Sequence, residues 1–415
     1  MDSVVLLHLL HSLAPGFGWR LSALHVHHGI SPHADAWADS CTALCTRHAI
    51  PLCIERVDIA PLRDMHGIEA AARRLRHAAF CSQACDFVAL AHHADDQVET
   101  LLLQLLRGAG IKGAAAMPVL SKVEGTVSKH TCEHAVIRPL LDVQRSKLIE
   151  YAQRHALQWV EDESNADDSY PRNFLRHRLL PRLEERFPAY RNTLTRSARH
   201  FAEAGEMLDE LAQLDGQLEM NDGMLQAETL RGLSPPRARN LLRYFLHRQG
   251  APMPQAVQLE EMLQQLLVAR NDAAVCVEFG GWEARRYQDR IYVFPQLGEF
   301  EAGLIVPWQG EDELYWPALG RHIVFRPACG QGISQARLLS APVTLRLRSG
   351  GERLRPHPAA ATRSLKNLSQ EQHIPPWQRE RLPLLYCGDE LVCVVGLAVA
   401  SGFRASGSEP GIDVE

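Results

Sequence analysis

Between residues 1 and 160 the chain alternates short apolar runs with longer amphipathic ones. Leu21–His27, Leu52–Val57, Phe87–Ala91 and Val136–Arg138 have the length and character of strands. Between them, the stretches near 35–49, 67–84 and 96–107 carry apolar residues three and four apart, which predicts helices. Repeated alternation of this kind predicts an α/β fold, a parallel sheet with helices on both faces. Such sheets bind ligands beyond the carboxyl ends of their strands. Val4–Leu13 predicts a further helix with Asp2 or Ser3 as its N-cap, although no strand feeds it. Ser121–His134 is polar and contains glycine, which reads as an exposed loop.

Residues 175–265 carry Leu, Met and Ala at helical spacing, punctuated by Pro235-Pro236 and Pro252/Pro254. Val275–Phe279 and Arg290–Phe294 read as strands. Alternation at Val343–Arg348 and a late strand pair, Leu384–Tyr386 and Leu391–Val395, predict a small α+β module. The expected domains are 1–190, a mainly helical 191–305, and 340–404. No internal repeat is present.

Composition narrows the class. The 415 residues are 46% hydrophobic and 22% charged, ordinary values for a soluble globular protein of several domains. No uncharged apolar run approaches the ~18 residues a membrane span needs. The start lacks a basic segment of the secretory type, so the cytoplasm is the default. With 44 basic and 49 acidic residues the net charge is −5, so a nucleic-acid partner requires a local basic surface. None of the ten cysteines forms a C-x-x-C pair. Cys41/Cys45 and Cys81/Cys85, each four apart, read as buried helix faces, with paired metal ligands as the other reading.

Four constellations carry candidate chemistry. Asp2-Ser3, at a helix start, can cap that helix or hold a phosphate or its magnesium. His25-Val26-His27-His28 ends one strand, and His92-His93-Ala94-Asp95-Asp96-Gln97-Val98-Glu99 leads from another into a helix. Five histidines beside carboxylates can bind a metal, as in a hydrolase. A capping box of Asp96 and Glu99 explains the acids as well, with Val98, Leu101, Leu102 and Leu105 as the buried stripe. Arg107-Gly108-Ala109-Gly110 ends the same helix with a basic residue and two glycines able to approach a phosphate. In Trp159–Arg178, five acids precede Arg172, Asn173, Arg176 and Arg178. Acids at a helix start paired with arginines of the next turns would account for that segment structurally.

In order along the chain, HVHHGI, IEAAARRLR, LAHHADDQVETLLLQLLRGAGIKG, IRPLL and WVEDESNADDSYPRNFLRHRLLP resemble the tRNA(Ile)-lysidine synthetase family of the N-type ATP pyrophosphatases, or PP-loop enzymes. The likeness continues through Asn271-Asp272-Ala273 and Glu283–Tyr287 into SGGERLRP and RSLKNLSQEQHIPPWQRERLPLL. It implies a PP-loop catalytic domain, a helical tRNA-binding middle domain and an α+β tRNA-binding carboxyl-terminal domain. It implies a cytoplasmic ligase that uses ATP and Mg2+ to join free L-lysine to C2 of the wobble cytidine of tRNA(Ile) with anticodon CAU, through an adenylated intermediate. Decoding then changes from AUG to AUA.

On this resemblance the catalytic candidates are Asp2, Asp95, Asp96 and Glu99, with Asp162 behind them. ATP falls to Asp2, Ser3, His25, His27, His28, Arg107, Gly108 and Gly110, and magnesium to Asp2 and Asp96. Arg172, Asn173, Arg176, Arg353, Arg355, Lys366, Trp377 and Arg379 are the tRNA candidates. From Val343 to Arg381, eight basic residues face three acidic ones, a local positive surface suited to phosphate. No membrane is involved, and the sequence leaves room for a homodimer.

The chain departs from the family in its phosphate loop, Ser-Gly-Gly-x-Asp-Ser, of which Met1-Asp2-Ser3 matches only the end. A start assigned too late, with the loop's glycines and the preceding strand upstream, is the expectation. It would leave two sheet edges unpaired. His77 stands where the family has Tyr. A metal-dependent hydrolase, a thiolation enzyme of the same superfamily and an inactive tRNA-binding relic remain as alternatives. The thiolation enzyme would want the C-x-x-C that is missing.

Overall fold

The apolar amino-terminal segment forms helix α1, Asp2–Phe17, which stops at Gly18 in the left-handed conformation (φ 67°) that glycine adopts without a Cβ clash. Its N-cap is Met1, with no side-chain cap bond, so Asp2 and Ser3 lie inside the first turn instead of capping it. The computed structural model describes every residue except 62–67, 123–124, 128–129, 133, 217–222, 269–274 and 302. The Asn271–Ala273 stretch lies outside the described residues. The chain divides into two compact units, Met1–Leu208 and Asp209–Glu415.

In the first unit, β1 (Ala23–His27), α2 (Ala34–Arg47), β2 (Leu52–Arg56), α3 (Ile68–Cys81), β3 (Phe87–Ala89), α4 (Ala94–Leu106) and the short α5 (Ile111–Ala114) follow the expected alternation. Strands β1 and β2 pair in parallel, as do β3 and β7 (Ala135–Ile137). Among the described residues, β1 and β3 each keep one edge without a partner. The segment expected as a loop before β7 holds three strands. Leu120–Lys122 (β4) pairs antiparallel with β7, and Gly125–Val127 (β5) forms a ladder with His130–Cys132 (β6).

Helix α6 (Arg145–Arg154) packs Leu148 and Ala152 against Val5 and Leu6 of α1. A turn at Pro171–Phe174 (α7), one π-helical turn at Leu175–Leu179, α8 (Leu180–Arg186) and α9 (Tyr190–Gly216) complete this part of the chain. In α4, Val98 packs on Leu180 and Tyr190, and Leu101 on Ala114 and Ala198. Leu105 is exposed, so the buried stripe is shorter than its spacing predicts.

In the second unit, β8 (Met224–Gln226) and α10 (Ala227–Gly232) precede two longer helices, α11 (Pro235–Arg248) and α12 (Ala256–Val268). The latter pack Leu241, Leu242, Phe245, Leu259, Met262 and Leu266 against β9 (Val275–Phe279), β10 (Trp282–Tyr287) and β11 (Arg290–Pro295). The part expected to be mainly helical therefore contains a sheet, in the order β8-β11-β10-β9. The carboxyl-terminal core reaches beyond 340–404. Ile305–Trp308 pairs with Val343–Arg346, and Pro410–Val414 with Arg321–Cys329. Among the described residues, no helix is long and apolar enough to cross a membrane.

Candidate active site

Four residues, 90–93, join β3 to α4, and that junction explains the geometry. The N-cap of α4 is His93, not Asp96. The His93 ring accepts from the Asp96 N–H at 3.4 Å, while the Asp96 carboxylate accepts from the His93 N–H at 3.1 Å. This is a capping box with imidazole in place of the usual hydroxyl. Accepting at Nδ1 leaves the His93 proton on Nε2, which lies 3.4 Å from Asp96 Oδ2 and 3.9 Å from Asp2 Oδ1. His93 is 2% exposed. It draws together two carboxylates separated by 94 positions in sequence. Asp2 Oδ1 is buried and has no hydrogen-bond partner.

Asp96 Oδ1 also lies 3.4 Å from Arg172 and 3.6 Å from Arg176, and the other two acids of α4 are held by cations at shorter range. Asp95 accepts from Arg191 Nε at 2.6 Å and from the Arg145 N–H at 2.8 Å. Burial alone would raise its pKa. The Arg145 and Arg191 bonds outweigh burial and hold the carboxyl below the usual carboxylate range. Arg191 also binds Glu184, at 2.5 Å. Glu99 is 0% exposed. Its Oε2 accepts from Arg172 Nε at 2.7 Å, and its Oε1 from Arg176 Nε at 2.7 Å. A carboxylate this deep survives only when paired and fully bonded.

Of Arg172, Asn173 and Arg176, expected to meet tRNA, the two arginines are thus turned to the carboxylate helix. Arg172 and Arg176 clamp Glu99, and buried Asn173 donates to the Asp167 carbonyl at 2.9 Å. The local pairing expected within this segment holds for Arg178 with Asp168 at 2.7 Å, while its two other arginines pair over 70 positions away. No periodicity signals such pairing, which is why the sequence did not disclose it. Arg145 and Arg191, which fix Asp95, went unnoticed for the same reason.

The histidine-rich end of β1 differs. His27 is buried and lies 3.2 Å from Asp35, which also binds Arg56 at 2.9 Å. His25 Nδ1 approaches Cys41 Sγ at 3.7 Å. Only His28 leaves both ring nitrogens buried and unpartnered, and burial, then Arg76, lowers its pKa. His92 accepts from Arg138 Nε at 3.3 Å, and burial brings its pKa to about 4. Among the described residues, none of these histidines belongs to a metal-type cluster. The one such group is Cys276, Glu278 and Glu283.

Two expected groups do not join the site. Arg107, Gly108 and Gly110 follow the far end of the 13-residue α4 from Asp96. A helix of that length spans roughly 20 Å, too far for one phosphate site. Trp377 is half-buried between Phe294, Tyr287 and Tyr292, with Arg285 over its ring at 5.2 Å. Arg379 donates to the Tyr287 hydroxyl at 2.5 Å. Both residues tie the carboxyl-terminal segment to the β10–β11 sheet, not to a free surface. Arg355 bonds its own loop at the Ala360 carbonyl, 2.9 Å away, whereas Arg353 and Lys366 are exposed.

An α/β unit whose carboxylates gather at a strand–helix junction is the setting of nucleotide chemistry, and residues 1–183 match the PP-loop domain family. The first unit is a PP-loop nucleotide-binding domain. Residues 225–292 match the TilS substrate binding domain, and 343–415 the TilS substrate C-terminal domain. The chain is 44% identical to the tRNA(Ile)-lysidine synthase of Nitrosomonas europaea, over 100% of its own length and 89% of that protein's. It is 39% identical to the one of Coxiella burnetii, over 100% and 91%. The chain belongs to the tRNA(Ile)-lysidine synthase family. A solved TILS C-terminal domain is similar at 22% identity, with TM-score 0.24, covering 27% of this chain and 95% of that one.

Proposed function

We propose that this protein is a ligase that joins L-lysine to C2 of the wobble cytidine of tRNA(Ile) with anticodon CAU, using ATP. The observation that carries this reading is the likeness to lysidine synthases along the entire chain, with the family's acids gathered at one junction. In the first step the cytosine C2 oxygen attacks the α-phosphate, and pyrophosphate leaves. In the second the lysine ε-amine attacks C2, AMP leaves, and the amine loses its protons.

Asp2 and Asp96 fit magnesium, which takes carboxylate oxygens readily. The buried, unpartnered Asp2 Oδ1 is the atom such a cation would satisfy. Bound there, magnesium would offset charge on the phosphates. Lysine's amine has an ordinary pKa of about 10.4, so it arrives protonated and needs an acceptor. Guanidinium bonds of 2.6–2.7 Å fill Asp95 and Glu99, whereas Arg172 and Arg176 stand 3.4 and 3.6 Å from Asp96, the more open carboxylate and so the acceptor once pyrophosphate has left. Asp95 and Glu99 act as positioning residues. Free lysine and ATP meet at this junction, and the exposed Arg353 and Lys366 face tRNA phosphates.

The test is incorporation of labelled lysine into a CAU-anticodon tRNA(Ile) transcript. The expected result is one lysine per tRNA, with AMP and pyrophosphate formed in equal amounts. Lysine-independent hydrolysis of ATP with no labelled tRNA would overturn the reading. Replacing Arg353 with Ala should reduce the slope of log affinity against log salt by about one phosphate contact. An unchanged slope would remove Arg353 from the interface.

A further inference from the structure

The arginine-rich helix α3 is a motif that the chemistry above does not use. Arg73, Arg76 and His77 stand three and four residues apart and so share one helix face. All three are exposed. Among the described residues, neither Arg73 nor Arg76 makes a hydrogen bond or an ion pair. In the same unit Arg56, Arg172, Arg176, Arg178 and Arg191 are each bound to a carboxylate. The two arginines of α3 stand apart from that pattern.

Their face lies toward the carboxyl ends of the strands. Strands β3 and β7 pair in parallel with Ala89 opposite Ile137, so His92 and Arg138 leave them at the same end. Arg138 donates from Nε to His92 Nδ1 at 3.3 Å, and from its terminal nitrogen to the Pro118 carbonyl at 2.8 Å. Among the described residues, no carboxylate binds it. Partial burial, then Arg73, lowers the pKa of both Arg76 and Arg138, as expected of like charges close together with no anion between them. Arg76 also acts on His28 at the end of β1. The three guanidinium groups thus gather where α/β sheets bind ligands. His92 adjoins His93, the N-cap that Asp2 and Asp96 share, so this positive cluster borders the carboxylate junction. Like charges held together weaken a fold unless an anion joins them.

We propose that Arg73, Arg76 and Arg138 hold the backbone phosphates on either side of the wobble cytidine, so that its base enters the junction of Asp2 and Asp96. The inference rests on the ligase reading above. A base that reacts must be splayed out of its loop, and its flanking phosphates then serve to position it. Guanidinium forks suit phosphate oxygens, which they bind two at a time. ATP is the other source of phosphate, but it brings magnesium, which three guanidinium groups repel. The role expected of Arg172 and Arg176, which Glu99 holds, passes to this face.

The experiment measures binding of the isolated CAU anticodon stem–loop to the whole protein over a range of salt. Combining Arg73→Ala with Arg76→Ala should make the slope of log affinity against log salt shallower by about 1.4, or about 0.7 for each single-strand phosphate. Arg76→Gln alone should remove about half of that, and Arg76→Lys, which keeps the charge, should retain most of it. The paired variant should melt at or above the parent's temperature, because neither arginine bonds to the fold. Its KM for ATP should change less than about twofold. A slope that stays at the parent's value in both Arg76→Gln and the paired variant overturns the proposal. So does a raised KM for ATP with stem–loop affinity intact, which would give these arginines to ATP. If the parent joins lysine to tRNA while the variants bind like it, this inference falls alone. A parent that neither binds the stem–loop nor incorporates lysine takes the ligase reading with it.

Discussion

The two histidine-rich strand ends of the first unit look alike in sequence and behave differently in the fold. At the end of β3, His93 caps α4 directly, and the first turn of that helix delivers Asp95 and Asp96 around the ring. At the end of β1, the segment 28–33 separates the histidines from α2, whose first-turn acid, Asp35, goes to His27 and Arg56 instead. The first end is a carboxylate centre braced by arginines. The second is a braced strand end with one unpartnered ring, His28. What separates them is where the histidines stand, His93 being the N-cap of its helix with a side-chain cap bond while His27 and His28 lie six or more residues before theirs, not the residue types. A histidine at the N-cap aims several side chains of the first turn at one point.

The largest expected effect that tests this contrast is on stability. Glu99→Gln leaves half-buried Arg172 and Arg176 without their nearest anion and should cost about 3–5 kcal/mol. His28→Gln breaks no bond and should cost less than about 0.5 kcal/mol. Urea unfolding of the two variants checks this, and equal losses would erase the distinction between the two ends. Next comes activity. Asp96→Asn should lower pyrophosphate release by about 100-fold or more, while His28→Asn should change it less than tenfold.

Smaller effects concern pH. The Asp95 carboxyl is depressed in the folded state, so its contribution to stability is complete above its ordinary pKa. That contribution is lost as pH falls through the lowered folded value. Arg191→Ala removes one cause of the depression, and its acid-unfolding midpoint should therefore move to higher pH. A midpoint that stays in place would show that Arg191 does not brace Asp95. A second pH effect, nearer neutrality, belongs to His92, whose pKa falls from 6.5 to about 4. Stability from keeping it neutral is complete above 6.5 and declines toward 4, so His92→Gln should flatten the melting-temperature profile across that window.

Much of the fold was legible because local pattern and final structure agree. The helices near 35–49, 67–84 and 96–107 appear at Ala34–Arg47, Ile68–Cys81 and Ala94–Leu106. Polar strands were missed. Leu120–Lys122 and Gly125–Val127 lack the apolar alternation that marks a half-buried strand, and pairing supplies their regularity instead. The sheet from β8 to β11 was read only in part, because its helices dominate the local periodicity.

The site divides the same way. The acids at 95, 96 and 99 and the arginines at 172 and 176 stand out in sequence, but their spacing is silent on which acid remains open. Trp377 and Arg379 look like a nucleic-acid surface in one dimension and are packing groups in three.

Sequence by itself determined the family, the alternation of strands and helices, and the inventory of acids and histidines at the strand ends. These are properties of order and composition. Only the tertiary structure decided that Glu99 and Asp95 take the short guanidinium bonds, while Asp96, at longer range from Arg172 and Arg176, shares His93 with Asp2. It also decided that Arg107–Gly110 lies a helix length away from them. The physical reason is that burial and charge pairing act through space between segments many residues apart. A carboxylate's availability depends on which cation the fold brings to it, and no local pattern records that.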